Sequence, residues 1–158
     1  MTISRRPETP EDEPFLRQMI IASIAQELMA WSWPEAIRDQ LLGMQYSAKV
    51  GSLRTNHPAA ASEIILAGGQ PVGWIFLDES PQEIHLCEII VAVGLRGKGV
   101  GSAVLREVLA AADRAKKPVR LLVNVTNAGA IQLYERLGFR RTGGDQLQHE
   151  MERPYAAG

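Results

Sequence analysis

Cysteine is nearly missing from this chain: Cys87 is the single one among 158 residues, so no internal disulfide can form, and its apolar neighbours mark it as a small buried hydrophobe. Nowhere does an apolar run reach the length of a membrane span. The N-terminus, MTISRRPETPEDEP, turns acidic where a signal peptide would turn apolar, and a cytoplasmic protein is expected. A net charge of −1 argues against nucleic acid as the main partner, since duplex binding is driven largely by neutralising phosphates, yet it leaves room for a basic acceptor. His57, His85 and His149 lie far apart, with no H-E-x-x-H or Cys/His spacing, so no metal is expected. There is no G-x-S-x-G elbow, and a covalent acyl-cysteine route would need a base beside Cys87 that the sequence does not identify. Repeats, low-complexity tracts and linkers are also missing, which leaves one domain over residues 1–158, of a size that can bury a real core.

What is present centres on Leu86 to Val104, LCEIIVAVGLRGKGVGSAV: an apolar, β-branched run, a glycine-punctuated basic turn, then the start of an Ala/Leu-rich helix. A helix start leaves its first N–H groups without partners and carries a partial positive charge, so an anion fits there. Gly97, Gly99 and Gly101 are expected to supply positive φ and close approach, with Arg96 and Lys98 adding charge beside the amides. A phosphate or diphosphate is the natural guest. Lys98 is followed by Gly99 rather than Ser or Thr, which rules out a P-loop. A dinucleotide fingerprint fails too, because the sixth position is Ser102 when counted from Gly97 and Val104 when counted from Gly99.

The surviving pattern, Arg96-x-x-Gly99-x-Gly101 after a strand, resembles the R/Q-x-x-G-x-G/A pyrophosphate loop of the GCN5-related N-acetyltransferase (GNAT) superfamily. A second stretch, Leu122 to Phe139, resembles that family's V-x-x-x-N-x-x-A-x-x-L-Y-x-x-x-G-F pattern at Val123, Asn127, Ala130, Leu133, Tyr134, Gly138 and Phe139. The two occur in the family's order, separated by one helix and one strand.

In chain order, Thr2 to Arg6 reads as a strand, and Thr9 with Pro10 as a helix entry. Phe15 to Met29 reads as an amphipathic helix through Phe15, Leu16, Met19, Ile20, Ile24 and Leu28. Pro34 opens a second helix to about Ala48, with Ile37, Leu41, Leu42 and Met44 inward, and Gly51 to Ala61 has loop composition, which leaves His57 solvated. Gly68-Gly69 joins two antiparallel strands, Glu63 to Ala67 and Val72 to Leu77. Glu83 to Val93 is the strand that feeds the loop, Gly99 to Lys117 a helix and Val119 to Val125 a strand. Ala128 to Leu137 follows as a helix, and a final hairpin turns across Gly143-Gly144. The expected fold is α/β: a mixed, mostly antiparallel central sheet flanked by helices, with a splayed strand pair holding the cofactor.

The resemblance implies acetyl-CoA as co-substrate. Its diphosphate would lie on the amides of Gly97, Lys98, Gly99, Val100, Gly101 and Ser102 beside Arg96. Its pantetheine would lie along Val91, Ala92 and Val93, where a bulge would splay the strands; many relatives carry proline at the place of Val93. Asn127 and Ala130 join this cofactor set. Tyr134 falls where the family places the acid that protonates the leaving thiolate, and Glu88 where an acidic residue often meets the acceptor amine. By strand alternation Glu88 shares a face with Leu86, Ile90 and Ala92; it is read as a base, direct or through water, an orienting carboxylate or half of an ion pair. Glu83 and His85 are weaker candidates. Trp31, Trp33, Tyr46 and the His57 loop are the expected surroundings of a primary amine on a small molecule or peptide, the tryptophans equally readable as staples to the core. A homodimer through the C-terminal strands is implied by the same resemblance. The rival functions are a non-catalytic acyl-CoA sensor and an acyltransferase for longer acyl-CoA.

Overall fold

The computed structural model describes residues 2–157. Its elements, in chain order, are β1 (Ile3–Pro7), α1 (Glu13–Glu27), α2 (Glu35–Asn56), β2 (Ala61–Ala67), β3 (Gln70–Glu79) and β4 (Ile84–Val91). Then come α3 (Val100–Ala115), β5 (Val119–Asn124), α4 (Ala128–Arg136), β6 (Arg140–Gly144) and β7 (Gln148–Arg153). The strands form one seven-stranded sheet in the order β1-β2-β3-β4-β5-β7-β6. Every pairing is antiparallel except β4 with β5, where α3 supplies the crossover.

Each face of the sheet buries its own core. On one side α3 lays down Val104, Leu105, Val108 and Ala112 against Ile65, Ile75, Leu86 and Leu121. Burying each Val or Leu of that stripe stabilises the fold by about 1.5–3 kcal/mol relative to exposure. On the other side α1 and α2 cover Ile64, Trp74, Phe76 and Ile90 with Leu16, Ile20, Ile24 and Leu42. The chain enters α1 through a 3-10 turn at Pro10–Asp12. Asp12 accepts from the Thr9 N–H at 2.8 Å and pairs with both terminal nitrogens of Arg6, each at 2.8 Å. This is a capping box with Asp in the reciprocal position.

Four expectations change. Helix α2 runs on to Asn56, through a segment whose Gly, Ser, Arg, Thr and Asn read as loop, because Tyr46, Val50 and Leu53 continue an apolar stripe at steps of three and four. That stripe, with Leu42, is the inner face, whereas Ile37 and Met44 are 44% and 61% exposed. Leu28 is likewise outside, one residue past the end of α1. In the last hairpin Gly143 and Gly144 belong to β6, and the turn falls at Asp145, whose Oδ1 accepts from the N–H groups of Leu147 and Gln148 at 2.8 Å each.

Candidate active site

Strands β4 and β5 pair only from Ile84 to Leu86 against Val119 to Leu121, although β4 continues to Val91 and β5 to Asn124. Beyond Leu86 the two diverge. The cause lies in β4: Phe76 of β3 faces Glu88 and the next residue, Leu77, faces Leu86, so Cys87 is an extra residue, a β-bulge. The bulge turns the following residues over. Leu86 packs into the α3 core, whereas Cys87, Ile90 and Ala92 pack into the α1/α2 core. Glu88 therefore shares a face with Ile90 and Ala92 but not with Leu86, contrary to strict alternation.

Two cavities meet in this opening, of about 590 and 630 Å³, sharing Lys49, Glu88, Ile89, Ala130 and Tyr134 along their border. The first is the loop end, lined by Val91, Arg96, Gly97, Gly99, Val100, Gly101 and Ser102. Gly97 and Gly99 hold φ of +77° and +82°, conformations that a side chain would strain. Gly101 does not: it lies in the first turn of α3, and a Cβ there would meet only Val91 Cγ2 at 3.9 Å. Among the described residues the N–H groups of Gly97 through Ser102 donate to no protein acceptor, and the first bond of α3 comes from the Ala103 N–H to the Gly99 carbonyl.

Several loop residues sit differently from expectation. Arg96 does not stand beside the amides as free charge. It clamps the loop to α1, donating from Nη1 to Gln26 at 2.6 Å and from Nη2 to Ser23 at 2.8 Å, and its Nε donates to the Val91 carbonyl at 3.1 Å. The Ala92 N–H is spent on the Val72 carbonyl, and Val93 opens a 3-10 turn to Leu95, so neither lines the cleft. Lys98 is exposed on the outside of the loop. Asn127 caps α4, its Oδ1 accepting from the Ala130 N–H at 3.2 Å, and both residues border the two cavities.

Tyr134 stands at the junction, brought there by α4 and steadied by Phe139, whose ring lies 5.5 Å away. The residue is 9% exposed, and its hydroxyl has no hydrogen-bond partner among the described residues. Burial, with the Glu88 charge adding to it, pushes the phenol up to about 12. Glu88 is engaged on both oxygens. Oε1 accepts from the Ile89 N–H at 3.2 Å, and Oε2 pairs with Lys49 of α2 at 2.7 Å.

The second cavity is the end away from the loop, where His57 joins His85, a weaker candidate from the sequence, and Cys87. Asp78, which the sequence placed in a turn, backs His57 and escaped the sequence reading. His57 follows the last turn of α2, whose added length carries it onto the sheet, and its Nδ1 lies 2.8 Å from Asp78 Oδ2. Its ring meets His85 edge-on at 5.3 Å and Phe76 at 6.5 Å, so it is not the solvated loop residue anticipated. Burial holds His85 below the usual imidazole range and pushes the Cys87 thiol up to about 12. No spacing rule links these residues; only the pairing of β3 with β4 and the reach of α2 bring them together. Trp31, Trp33 and Tyr46 do not line the cleft. Trp31 is 62% exposed, Trp33 packs on the α1/α2 core, and Tyr46 is buried there with Arg17 over its ring at 5.3 Å. Glu83 pairs with Arg120 at 3.0 Å.

The profile of the acetyltransferase (GNAT) family matches residues 21–139, about three quarters of the chain. The chain belongs to this family. It is 37% identical over 79 residues, 45% of its length, to an uncharacterised N-acetyltransferase of Methanocaldococcus jannaschii. The match spans only 35% of that relative. Among solved structures it is similar to the PaiA N-acetyltransferase of Thermoplasma acidophilum in complex with coenzyme A (TM-score 0.74, 20% identity, 98% of this chain and 100% of that one). It is also similar to the ribosomal-protein-S18-alanine N-acetyltransferase of Escherichia coli (TM-score 0.65, 20% identity, 99% and 97%). At these identities the likeness is one of fold. The mixed seven-stranded sheet flanked by helices matches the GNAT fold of these structures. Among the described residues no helix is long and apolar enough to cross a membrane.

Proposed function

We propose that this GNAT protein transfers an acetyl group from acetyl-CoA to a primary amine by direct attack, both substrates being bound at once. The observation that supports it most is the continuity of the opening. Amides from Gly97 to Ser102 that lack protein acceptors lie at one end, a partnerless Tyr134 hydroxyl in the middle, and Glu88 beside it. Acetyl-CoA supplies a thioester, an electrophilic acyl carbon with a thiolate leaving group. The residues present fit it: the Gly97 and Gly99 conformations expose main-chain donors to a diphosphate, and the parted edge of β4 near Val91 can take pantetheine amides as it would a peptide.

Each of the chain's own groups then has a task. Tyr134 holds its proton at every working pH and is placed to donate it to the departing sulfur. Glu88 takes the proton of the incoming amine through a water, its carboxylate held in place by Lys49 and the Ile89 N–H. Glu27, which lines the cleft beside the Glu88–Lys49 pair, favours a cationic acceptor. The Cys87 thiol, pushed up to about 12, is a poor nucleophile as it stands, which favours direct attack over an acyl-cysteine.

The ion pair of Glu88 with Lys49 favours a second reading, a non-catalytic acyl-CoA sensor in which that carboxylate is structural. A screen of amine classes (amino acids, polyamines, aminoglycosides, peptide N-termini, lysine peptides) with detection of free thiol decides between them. Acceptor-dependent thiol release that falls in Tyr134→Phe and in Glu88→Gln supports the enzyme. Coenzyme A binding with no acceptor-dependent release across the panel supports the sensor.

A further inference from the structure

We propose that His57, His85 and Cys87 form a binding site for a transition-metal ion of the zinc class, with its fourth coordination position open to the acceptor end of the cleft. The proposal rests on the side-chain cluster and is independent of the acyl-transfer reading. One imidazole nitrogen from each histidine and the Cys87 sulfur all lie within 4.8 Å of one another. Metal–ligand bonds of about 2.0–2.1 Å to nitrogen and about 2.3 Å to sulfur place tetrahedral ligand atoms about 3.4–3.6 Å apart. Small side-chain rotations close that difference.

The arrangement has the second layer that metal-binding histidines require. Asp78 Oδ2 sits 2.8 Å from His57 Nδ1, and an ionised carboxylate only accepts, so it orients the ring through Nδ1–H and leaves Nε2 as the nitrogen that would bind the metal. His85 and Cys87 stand two apart on β4, Cys87 being the bulged residue itself, and both line the same cavity. All three ligands line the cavity that also holds Glu88 and Tyr134, which leaves the remaining position facing an open space rather than packed side chains. Two imidazoles and a thiol suit zinc, cobalt or copper and not calcium or magnesium, which take oxygen donors. On binding, the Cys87 S–H bond breaks, its electron pair goes to the metal and the proton leaves to solvent.

Cobalt(II) is the test probe, because a cobalt–thiolate bond absorbs strongly in the near ultraviolet. The full chain, free of any histidine tag, is titrated with Co²⁺. The expected result is one equivalent bound per chain with thiolate-to-cobalt absorption that Zn²⁺ abolishes. Cys87→Ser loses the absorption, and Asp78→Asn weakens the affinity about 10- to 100-fold. Absence of that absorption in the wild-type chain, or the same stoichiometry and affinity in Cys87→Ser and His57→Ala, overturns the site. Thermal melting without metal checks that each variant folds. Should a variant not fold, the wild-type absorption and protection of Cys87 from alkylation by Zn²⁺ still decide.

Discussion

Replacing Tyr134 by Phe removes one oxygen and leaves the rest of the site alone, which makes its consequences calculable. The ring keeps its contact with Phe139 at 5.5 Å and its place in the α3 core. The lost hydroxyl has no partner among the described residues, so no buried group is orphaned. The stability change should stay within about 0.5 kcal/mol. In a domain of this size that is a melting shift of at most about 2 °C. Catalysis should suffer far more, since a positioned general acid contributes roughly 10²–10⁴-fold. The variant should therefore lose at least about 100-fold in kcat while KM for acetyl-CoA changes little, because the diphosphate contacts lie elsewhere. A pH profile adds a second constraint: with the phenol at about 12, the wild-type enzyme should show no alkaline loss from this group until pH approaches that value. Full activity in Tyr134→Phe at saturating acceptor would refute the acid role. An alkaline fall near pH 10 that the variant lacks would keep the acid role and contradict the raised phenol.

Gly101→Ala separates fold from binding, since its Cβ meets nothing closer than 3.9 Å and the residue is helical. Calorimetry should find coenzyme A binding weakened at least about 10-fold, while the melting temperature holds or rises with the helix propensity gain of about 0.5–1 kcal/mol. Asp12→Ala should cost about 0.5–2 kcal/mol at neutral pH from the lost cap, read by chemical denaturation. The Arg6 guanidinium holds the Asp12 carboxyl well below the usual carboxylate range. The unfolded chain thus binds that proton first, so wild-type stability falls as pH drops from the ordinary carboxylate value toward the depressed one. The variant should show a shallower acid slope over that interval.

How much of this was legible in the sequence follows from how local each feature is. The strand, loop and helix around Gly97 to Ser102 are set by residues adjacent in the chain, and so is Asn127 capping the helix that presents Tyr134. The bulge at Cys87 depends on which residues of β3 it meets, and alternation alone put Glu88 on the wrong face relative to Leu86. Glycine and polar residues after Ala48 concealed the end of α2, since tertiary packing of Val50 and Leu53 overrides their low propensity. The cluster of His57, Asp78, His85 and Cys87 draws on three segments and leaves no trace in spacing. Arg96 fits the loop motif by position, yet its guanidinium went to Gln26 and Ser23, partners about seventy residues away.

In the proposed reaction, main-chain donors of the loop hold a diphosphate. Amide proton–nitrogen NMR spectra recorded during titration with coenzyme A, and separately with pantetheine, address it directly. The cross-peaks of Gly97 through Ser102 should move with coenzyme A and stay fixed with pantetheine, which lacks the diphosphate. Binding of coenzyme A that leaves those six amides unmoved would contradict the account.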